Sequence, residues 1–165
     1  MNPKQWKLDI IELTRSPTFF FYEYPWVTIT YIKDGKTHRP NKFGPARFVY
    51  YDNKGILRSY SFWEFDKEHR DESYPFPKNG PALTVYYQTG TIMSEFYIKR
   101  GLDHRVDGPA FKFYYNNGNI LGMKYFVNGK IHRNPEEGYA NIEFDINGNI
   151  TKQEYYVDNK CINKI

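Results

Sequence analysis

Apolar and polar positions alternate along most of the chain, and aromatic or β-branched residues occupy the apolar positions. The segment from Trp26 to Ile32 reads Trp-Val-Thr-Ile-Thr-Tyr-Ile, and a period of two is typical of a strand with two different faces. Phe48–Tyr51 and Ile120–Val127 are similarly rich in strand-forming residues. Asn117-Gly118 and Asn147-Gly148 favour type I′ hairpin turns, because both residues tolerate positive φ. The pattern predicts many short strands joined by tight turns.

One unit of sequence recurs about four times. Each copy has a His-Arg phrase, a Gly-Pro-Ala phrase, an aromatic pair, a turn glycine and a second aromatic-rich strand. The Gly-Pro-Ala phrases are Gly44-Pro45-Ala46, Gly80-Pro81-Ala82, Gly108-Pro109-Ala110 and the degenerate Gly138-Tyr139-Ala140. The aromatic pairs are Tyr50-Tyr51, Tyr86-Tyr87, Tyr114-Tyr115 and the degenerate Phe144-Asp145.

The spacing within a unit is constant in one part and variable in another. From the Gly of Gly-Pro-Ala to the next His there are 25, 24 and 24 residues. The gap from His-Arg to Gly-Pro-Ala varies, and it is longest in the copy that contains residues 71–79. The constant part is therefore predicted to be strand, turn and strand, and the variable part a surface loop. The long loop at 71–79 is a further candidate for function.

These observations predict an all-β fold: a single twisted antiparallel meander of tandem β-hairpin repeats with a short N-terminal helix. Residues 25–165 are assigned to the repeat array, with half units at both ends, and residues 1–24 to a helical cap and lead-in. A helix near residues 3–15 would cover the first strand or one face of the sheet. The residues that indicate it are the capping pair Asn2-Pro3, the helically spaced Trp6, Ile10 and Leu13, and the terminating pair Ser16-Pro17.

Composition and charge narrow the class of function. Aromatic residues make up 19% of the 165 residues, mostly Tyr and Phe, and this favours strands. The net charge of +4 comes from basic residues scattered among acids, which form no nucleic-acid footprint. Cys161 is the single cysteine, so an intramolecular disulfide and a cysteine-ligated zinc site are excluded. No apolar stretch is long enough for a transmembrane segment, and we expect a cytoplasmic or virion location rather than secretion.

The combination of Gly-x-x-His-Arg, Gly-Pro-Ala, Tyr-Tyr, Asn-Gly and Tyr-Phe-x-Asn-Gly resembles the MORN-type repeat family, over roughly residues 25–162. It is most similar to the variant repeats found in proteins of large DNA viruses and some microbes, and related repeats occur in bacterial antitoxins. The resemblance implies a single twisted antiparallel sheet and roles in protein interaction, assembly or membrane-lipid contact. The chain departs from the commonest MORN unit, which has Gly after its His, and its own unit is longer.

The four histidines suggest a metal site, but the repeat geometry excludes a shared ion. Equivalent residues in stacked hairpins lie about 9.5 Å apart, whereas zinc ligands lie about 2 Å from the ion. We therefore expect no metal and no cofactor, and we interpret the repeated phrases as structural. An arginine ladder that meets phosphates or an acidic partner is the alternative. The residues concerned are His38, Arg39, Gly44, Pro45, His69, Arg70, Gly80, Pro81, His104, Arg105, Gly108, Pro109, His132 and Arg133.

The aromatic rows are the best candidates for function. One sheet cannot bury both of its faces by itself, and a large exposed apolar patch marks an interaction site. We therefore predict that one face binds a protein, either a different one or a second copy of this chain. The candidate interaction face consists of Tyr51, Tyr87, Tyr115, Trp63 and Phe126.

The chain contains no Gly-x-Ser-x-Gly, no P-loop, no His-Glu-x-x-His and no neighbouring Cys–His pair. We expect no enzymatic activity and interpret the protein as an interaction or structural module. A large DNA virus is one setting in which such a module would act. The first alternative is an antitoxin-like protein that neutralises one partner. The second is a platform for single-stranded nucleic acid or anionic lipid, because Tyr and Phe on a sheet can stack bases.

Overall fold

The structure is a computed structural model that describes residues 10–15, 26–51, 55–70 and 80–162. Within these ranges the chain forms nineteen strands and two single-turn 3-10 helices, Asn41–Phe43 and Pro135–Glu137. In chain order the strands are β1 (Ile10–Arg15), β2 (Trp26–Lys33), β3 (Lys36–Thr37), β4 (Arg47–Tyr51), β5 (Ile56–Ser61), β6 (Trp63–Glu64), β7 (Lys67–Glu68), β8 (Leu83–Tyr86), β9 (Ile92–Phe96), β10 (Ile98–Lys99), β11 (Leu102–Asp103), β12 (Phe111–Tyr114), β13 (Ile120–Lys124), β14 (Phe126–Val127), β15 (Lys130–Ile131), β16 (Asn141–Phe144), β17 (Ile150–Glu154), β18 (Tyr156–Val157) and β19 (Lys160–Cys161).

Ten of these strands form one antiparallel meander, the main sheet, in the order β1-β2-β4-β5-β8-β9-β12-β13-β16-β17, with β3 added beside β2. The sheet contains four long hairpins, β4–β5, β8–β9, β12–β13 and β16–β17, which follow one another along the chain. Each long hairpin corresponds to the constant segment of one sequence unit. The predicted all-β meander of tandem hairpins is confirmed.

The turns of long hairpins β8–β9, β12–β13 and β16–β17, which the structure describes in full, contain the predicted glycine but are not type I′. Gly118 has a φ of 89°, whereas Asn117 is not among the residues with positive φ. The Gly118 amide donates to the Tyr115 carbonyl, and the register between β12 and β13 shifts next to this turn. A type I turn followed by a glycine bulge has these features and also matches the twist of the strands. The turn at Asn147-Gly148 follows the same pattern, so the type I′ prediction is wrong at both sites.

Each long hairpin is followed by a short hairpin with two-residue strands: β6–β7, β10–β11, β14–β15 or β18–β19. Both turn residues have positive φ, 51° at Asn128 and 78° at Gly129, which is the type I′ geometry. Successive short hairpins are also joined, since the Arg105 amide donates to the Phe126 carbonyl at 3.1 Å and the Gly129 amide to the Asp103 carbonyl at 2.8 Å. The short hairpins lie inside the constant segment, which was predicted as one strand, turn and strand, and they form a second, narrower ladder beside the main sheet.

The prediction of a helix near residues 3–15 is wrong for residues 10–15. They form β1, which pairs antiparallel with β2 from Ile10 opposite Ile32 to Arg15 opposite Val27. Three of the six residues of β1 are β-branched and favour a strand, and the edge of β2 supplies backbone hydrogen-bond partners. The rest of the predicted helix and the loop at residues 71–79 lie outside the described residues.

The most buried apolar side chains form a column where the main sheet meets the short hairpins. Its members are the last residues of the four Gly-Pro-Ala or Gly-Tyr-Ala phrases, and each is 0% exposed. Three of the alanine carbonyls accept a hydrogen bond from the residue that follows the preceding long strand, as Ala110 does from Tyr97 at 2.8 Å, and the Ala46 carbonyl accepts from Tyr31 within β2. The column leaves no space for a larger side chain, and this explains why alanine recurs there. The four alanines are Ala46, Ala82, Ala110 and Ala140.

The strands of the main sheet pair without stagger, so side chains form straight rows across it. Two of these rows define what we call the front face, and the row between them belongs to the back face, which includes Thr84, Lys112 and Ile142. Extensive contacts join only neighbouring strands, so among the described residues no second layer covers either face. The junction row, nearest the short hairpins, is Thr30, Arg47, Ser61, Leu83, Phe96, Phe111, Lys124, Asn141 and Glu154. The turn-side row is Thr28, Val49, Ser59, Val85, Ser94, Phe113, Gly122, Glu143 and Lys152.

Candidate interaction surface

The repeated histidines link successive units. In three units the histidine Nδ1 accepts a hydrogen bond from a backbone N–H in the turn of the next short hairpin. The pairs are Arg100 to His69 at 3.2 Å, Asn128 to His104 at 3.1 Å and Asp158 to His132 at 3.3 Å. The fourth, His38, stacks on Phe65 with ring centres 4.1 Å apart, and burial lowers its pKa.

The repeated arginines link His-Arg to Gly-Pro-Ala within one unit. Arg70 is 7% exposed, its guanidinium lies 4.4 Å from the centre of the Phe62 ring, and its Nη1 donates to the Pro81 carbonyl at 2.9 Å. A guanidinium held against a ring and a carbonyl of its own chain supports the structural interpretation over the phosphate ladder. The other stacks are Arg39 on Tyr31, Arg105 on Tyr97 and Arg133 on Tyr125, and their carbonyl acceptors are Pro45, Pro109 and Tyr139.

The first glycine of Gly-Pro-Ala leaves space for this arginine. A Cβ added at Gly80 would lie 2.6 Å from the Arg70 Cζ, which is far closer than atoms in contact allow. A Cβ at Gly108 would lie 3.2 Å from the Arg105 Cζ. The His-Arg and Gly-Pro-Ala phrases therefore form one structural element, although a loop of variable length separates them in the sequence.

The tyrosines of the predicted interaction face form a ladder at the turn end of the long hairpins. Each hydroxyl donates to a backbone carbonyl of the next unit, so it is engaged inside the array. The bonds run from Tyr51 to Tyr86 at 3.3 Å, from Tyr87 to Tyr114 at 2.7 Å and from Tyr115 to Phe144 at 2.9 Å.

Trp63 and Phe126, the other two predicted residues, lie at the opposite end of the hairpins. The Trp63 indole N–H donates to the Ser61 hydroxyl at 2.6 Å, and the Arg47 guanidinium lies 5.6 Å from a ring centre of Trp63. Phe126 packs on Phe111 with ring centres 4.6 Å apart. About 13–17 Å of strand separates these residues from the tyrosine ladder. The structure therefore does not bring the five predicted residues together into one patch.

The middle of the front face carries an apolar patch that the sequence did not reveal. The Phe96 ring meets the Phe111 ring at 4.9 Å and the Phe113 ring at 5.8 Å, both edge to face. Leu83 and Val85 lie beside them in the same two rows. All five side chains are half-buried. We call these five residues the apolar patch.

The two flanks of the front face are polar and differ in charge. On the N-terminal side the exposed Arg47 stands among Thr and Ser side chains. On the C-terminal side Lys152 lies 3.2 Å from Glu154 and 4.0 Å from Glu143, and Lys124 stands beside Phe111 in the junction row. The apolar patch is thus bordered by one basic residue at one end and by charges of both signs at the other.

Some polar groups of the back face pair with one another. The Tyr114 hydroxyl donates to the Glu95 carboxylate at 2.8 Å, and the Lys112 ammonium lies 3.6 Å from the same oxygen. Burial raises the pKa of Tyr86 to about 12, and the neighbouring Tyr60 adds to the shift, so the phenol stays neutral at physiological pH.

A cavity of about 490 Å³ lies between short hairpins β6–β7 and β10–β11. Burial raises the pKa of Glu68 and of Asp103 at this cavity. Charges of both signs line it, so it defines no ligand class. Among the described residues no group of three or more His, Cys, Asp or Glu side chains could hold a metal ion. The same part of the chain has no helix long and apolar enough to cross a membrane. The cavity lining is Trp63, Asp66, Lys67, Glu68, Ile98, Arg100, Gly101 and Asp103.

The fold and these contacts define a tandem β-hairpin repeat protein. Comparisons with models of protein families, with curated proteins and with solved structures give no match for this chain. The resemblance to MORN-type repeats therefore rests on the repeated phrases themselves.

Proposed function

We propose that this chain is a non-enzymatic repeat module that binds protein through its front face. The observation that carries the proposal is the apolar patch, which lies in the middle of a one-layer sheet between two polar flanks. A contiguous apolar patch rimmed by polar residues is the usual form of a protein interaction site.

The energetics support this use of the patch. Full burial of a large apolar side chain stabilises by about 1.5–3 kcal/mol. Because the five patch residues are half-buried in the described chain, a partner that covered them would gain on the order of 5 kcal/mol. The mixed charges around the patch favour a protein over a polyanion, since a phosphate backbone requires a concentrated basic groove.

The resemblance to the repeats of large DNA viruses supports an assembly or structural role for such an interaction, in the cytoplasm or in a virion. The array could provide this role without catalysis, because its repeated polar side chains are engaged in holding the units together. On this proposal the His-Arg phrases act indirectly, by keeping the front face in register.

The test compares one substitution on each face. Phe111→Thr removes a ring from the patch, whereas Ile142→Thr alters a half-buried position on the back face. We expect affinity purification from the native source, with mass spectrometry, to recover a protein with the wild type and with Ile142→Thr but not with Phe111→Thr. Circular dichroism and thermal melting establish that both variants are folded. Recovery that is unaffected by Phe111→Thr, or removed by nuclease, would refute the proposal.

A further inference from the structure

The order of residues along the front face identifies a specific occupant. We infer that the front face binds the front face of a second copy, so that two sheets stack about a two-fold axis. The axis runs parallel to the strands and passes between β9 and β12, at the centre of the apolar patch. This inference rests on the proposed function, because it uses the same surface.

Rotation about this axis reverses the order of the strands, so strands equally far from the axis face each other. β9 then faces β12 of the second copy, β8 faces β13, β5 faces β16 and β4 faces β17. Because the strands pair without stagger, the junction row faces the junction row and the turn-side row faces the turn-side row.

Near the axis, large side chains face small ones or each other. Side chains of stacked sheets interdigitate across about 10 Å, which requires such an alternation of sizes. Each pair occurs twice in the dimer, so the patch is complementary to itself. The facing pairs are Phe96 with Phe111, Ser94 with Phe113, Val85 with Gly122, and Leu83 with the aliphatic stem of Lys124.

On the flanks, the rotation brings one pair of opposite charges together. Arg47 on β4 faces Glu154 on β17 of the second copy, while Ser59 on β5 faces Glu143 on β16 and Val49 faces Lys152. The strands of two aligned, stacked sheets cross at an angle of up to about 30°. At the outer strands this angle displaces facing residues along the strand direction by up to about 8 Å. The long Arg47 side chain and the two carboxylates together span that distance. Arg47 of each copy therefore meets Glu154 of the other.

The area agrees with a stable dimer. The eight strands from β4 to β17 cover about 38 Å across the sheet and about 15 Å along the strands, or about 570 Å² in projection. The accessible surface of a corrugated face exceeds its projection, so two copies bury at least about 1,200 Å² in total. This value reaches the lower limit of the size range of specific interfaces.

The charge pairs allow a rescue experiment. Sedimentation velocity from nanomolar to high micromolar concentration should show a wild-type dimer. Arg47→Glu alone, or Glu154→Arg alone, should weaken self-association about tenfold, because both copies of the pair become repulsive. An equimolar mixture of the two variants should restore the dimer, since each variant then meets the opposite charge. Lys160→Glu, in short hairpin β18–β19 outside the front face, should have no effect.

A cross-linking experiment tests the same register without reversing the charge of Glu154, which is itself held by Lys152. In a Cys161→Ser background, copies with Ser59→Cys should cross-link to copies with Glu143→Cys through a short bismaleimide. Copies with Gln153→Cys, on the back face, should not cross-link to Ser59→Cys copies.

The outcomes separate this inference from the proposed function. A wild-type monomer at all concentrations overturns the inference, and the proposed function still holds if capture of another protein depends on Phe111. A monomer with no Phe111-dependent capture refutes both. If the Phe111→Thr variant still dimerises like the wild type, the interface lies elsewhere and the inference is overturned. The inference is also overturned if the variant mixture shows no rescue and the cysteine variants show no cross-link.

Discussion

The guanidinium of Arg70 occupies the space that a side chain at position 80 would need. We predict that Gly80→Ala lowers the free energy of unfolding by about 2–3 kcal/mol, because the arginine must leave its ring stack or its bond to the Pro81 carbonyl. Urea denaturation followed by circular dichroism measures the loss. Gly108→Ala is the matched control, since its Cβ would lie 3.2 Å from the Arg105 Cζ and should reduce stability less. Equal losses would show that this contact is not the cause.

His38 contributes to the pH dependence of stability. Burial lowers its pKa from 6.5, and the nearby Glu64 carboxylate opposes this shift. The unfolded chain therefore binds the proton more tightly than the folded chain does. The stability that neutral His38 contributes is present above pH 6.5 and is lost as the pH falls through the folded-state pKa. We expect the wild type to lose more stability than His38→Gln between about pH 7.5 and about pH 5.5. Parallel denaturation midpoints for the two proteins over this range would contradict the prediction.

At the scale of the element, the tyrosine hydroxyls hold adjacent long hairpins together. Tyr87→Phe removes the 2.7 Å bond to the Tyr114 carbonyl and should lower the free energy of unfolding by about 1 kcal/mol. Tyr51→Phe removes a longer bond of 3.3 Å and should have a smaller effect. Thermal and urea denaturation of both variants measure the difference. A larger effect at Tyr51 would mean that the hydroxyls do not stabilise the ladder through these bonds.

The elements show which sequence patterns predict structure and which do not. Alternation over seven residues from Trp26 to Ile32 predicted a long strand, and that strand is β2. Trp6, Ile10 and Leu13 also fit a helical spacing, but three residues are a weak pattern, and pairing with β2 determines the outcome for residues 10–15. The strands of the short hairpins have only two residues, too few for any period to show.

At the scale of the whole molecule, the sequence repeat was enough to predict the meander. The apolar patch could be located only from the register between neighbouring strands. Leu83, Phe96 and Phe111 are far apart in the sequence and become neighbours only because three strands pair without stagger. The extra residue of each glycine bulge lies in the second strand of the hairpin, Arg58 in β5 and Leu121 in β13, so the alternation read along β4 or β12 does not continue past the turn. The five predicted face residues were therefore drawn from both ends of the hairpins.

An array in which each unit contacts only its neighbours should also lose structure locally. Ala140→Val overpacks the alanine column in the last unit, which should cost about 1–3 kcal/mol. We expect faster amide exchange in β16 and β17 with unchanged protection in β4 and β5, measured by hydrogen exchange with mass spectrometry. Ala110→Val, inside the array, should deprotect the units on both of its sides. Uniform deprotection by Ala140→Val would show instead that the array unfolds as one unit.

The order of strands in the meander also determines how the molecule responds to tension. Strands run across the axis of the array, so pulling its two ends apart opens each hairpin from one side, and the ladder bonds rupture one after another rather than together. The unit of 28 residues from Ala82 to Ala110 would lengthen from about 9.6 Å to about 95 Å. The array would therefore act as a soft spring that extends unit by unit, and stacking on a second sheet would stiffen it.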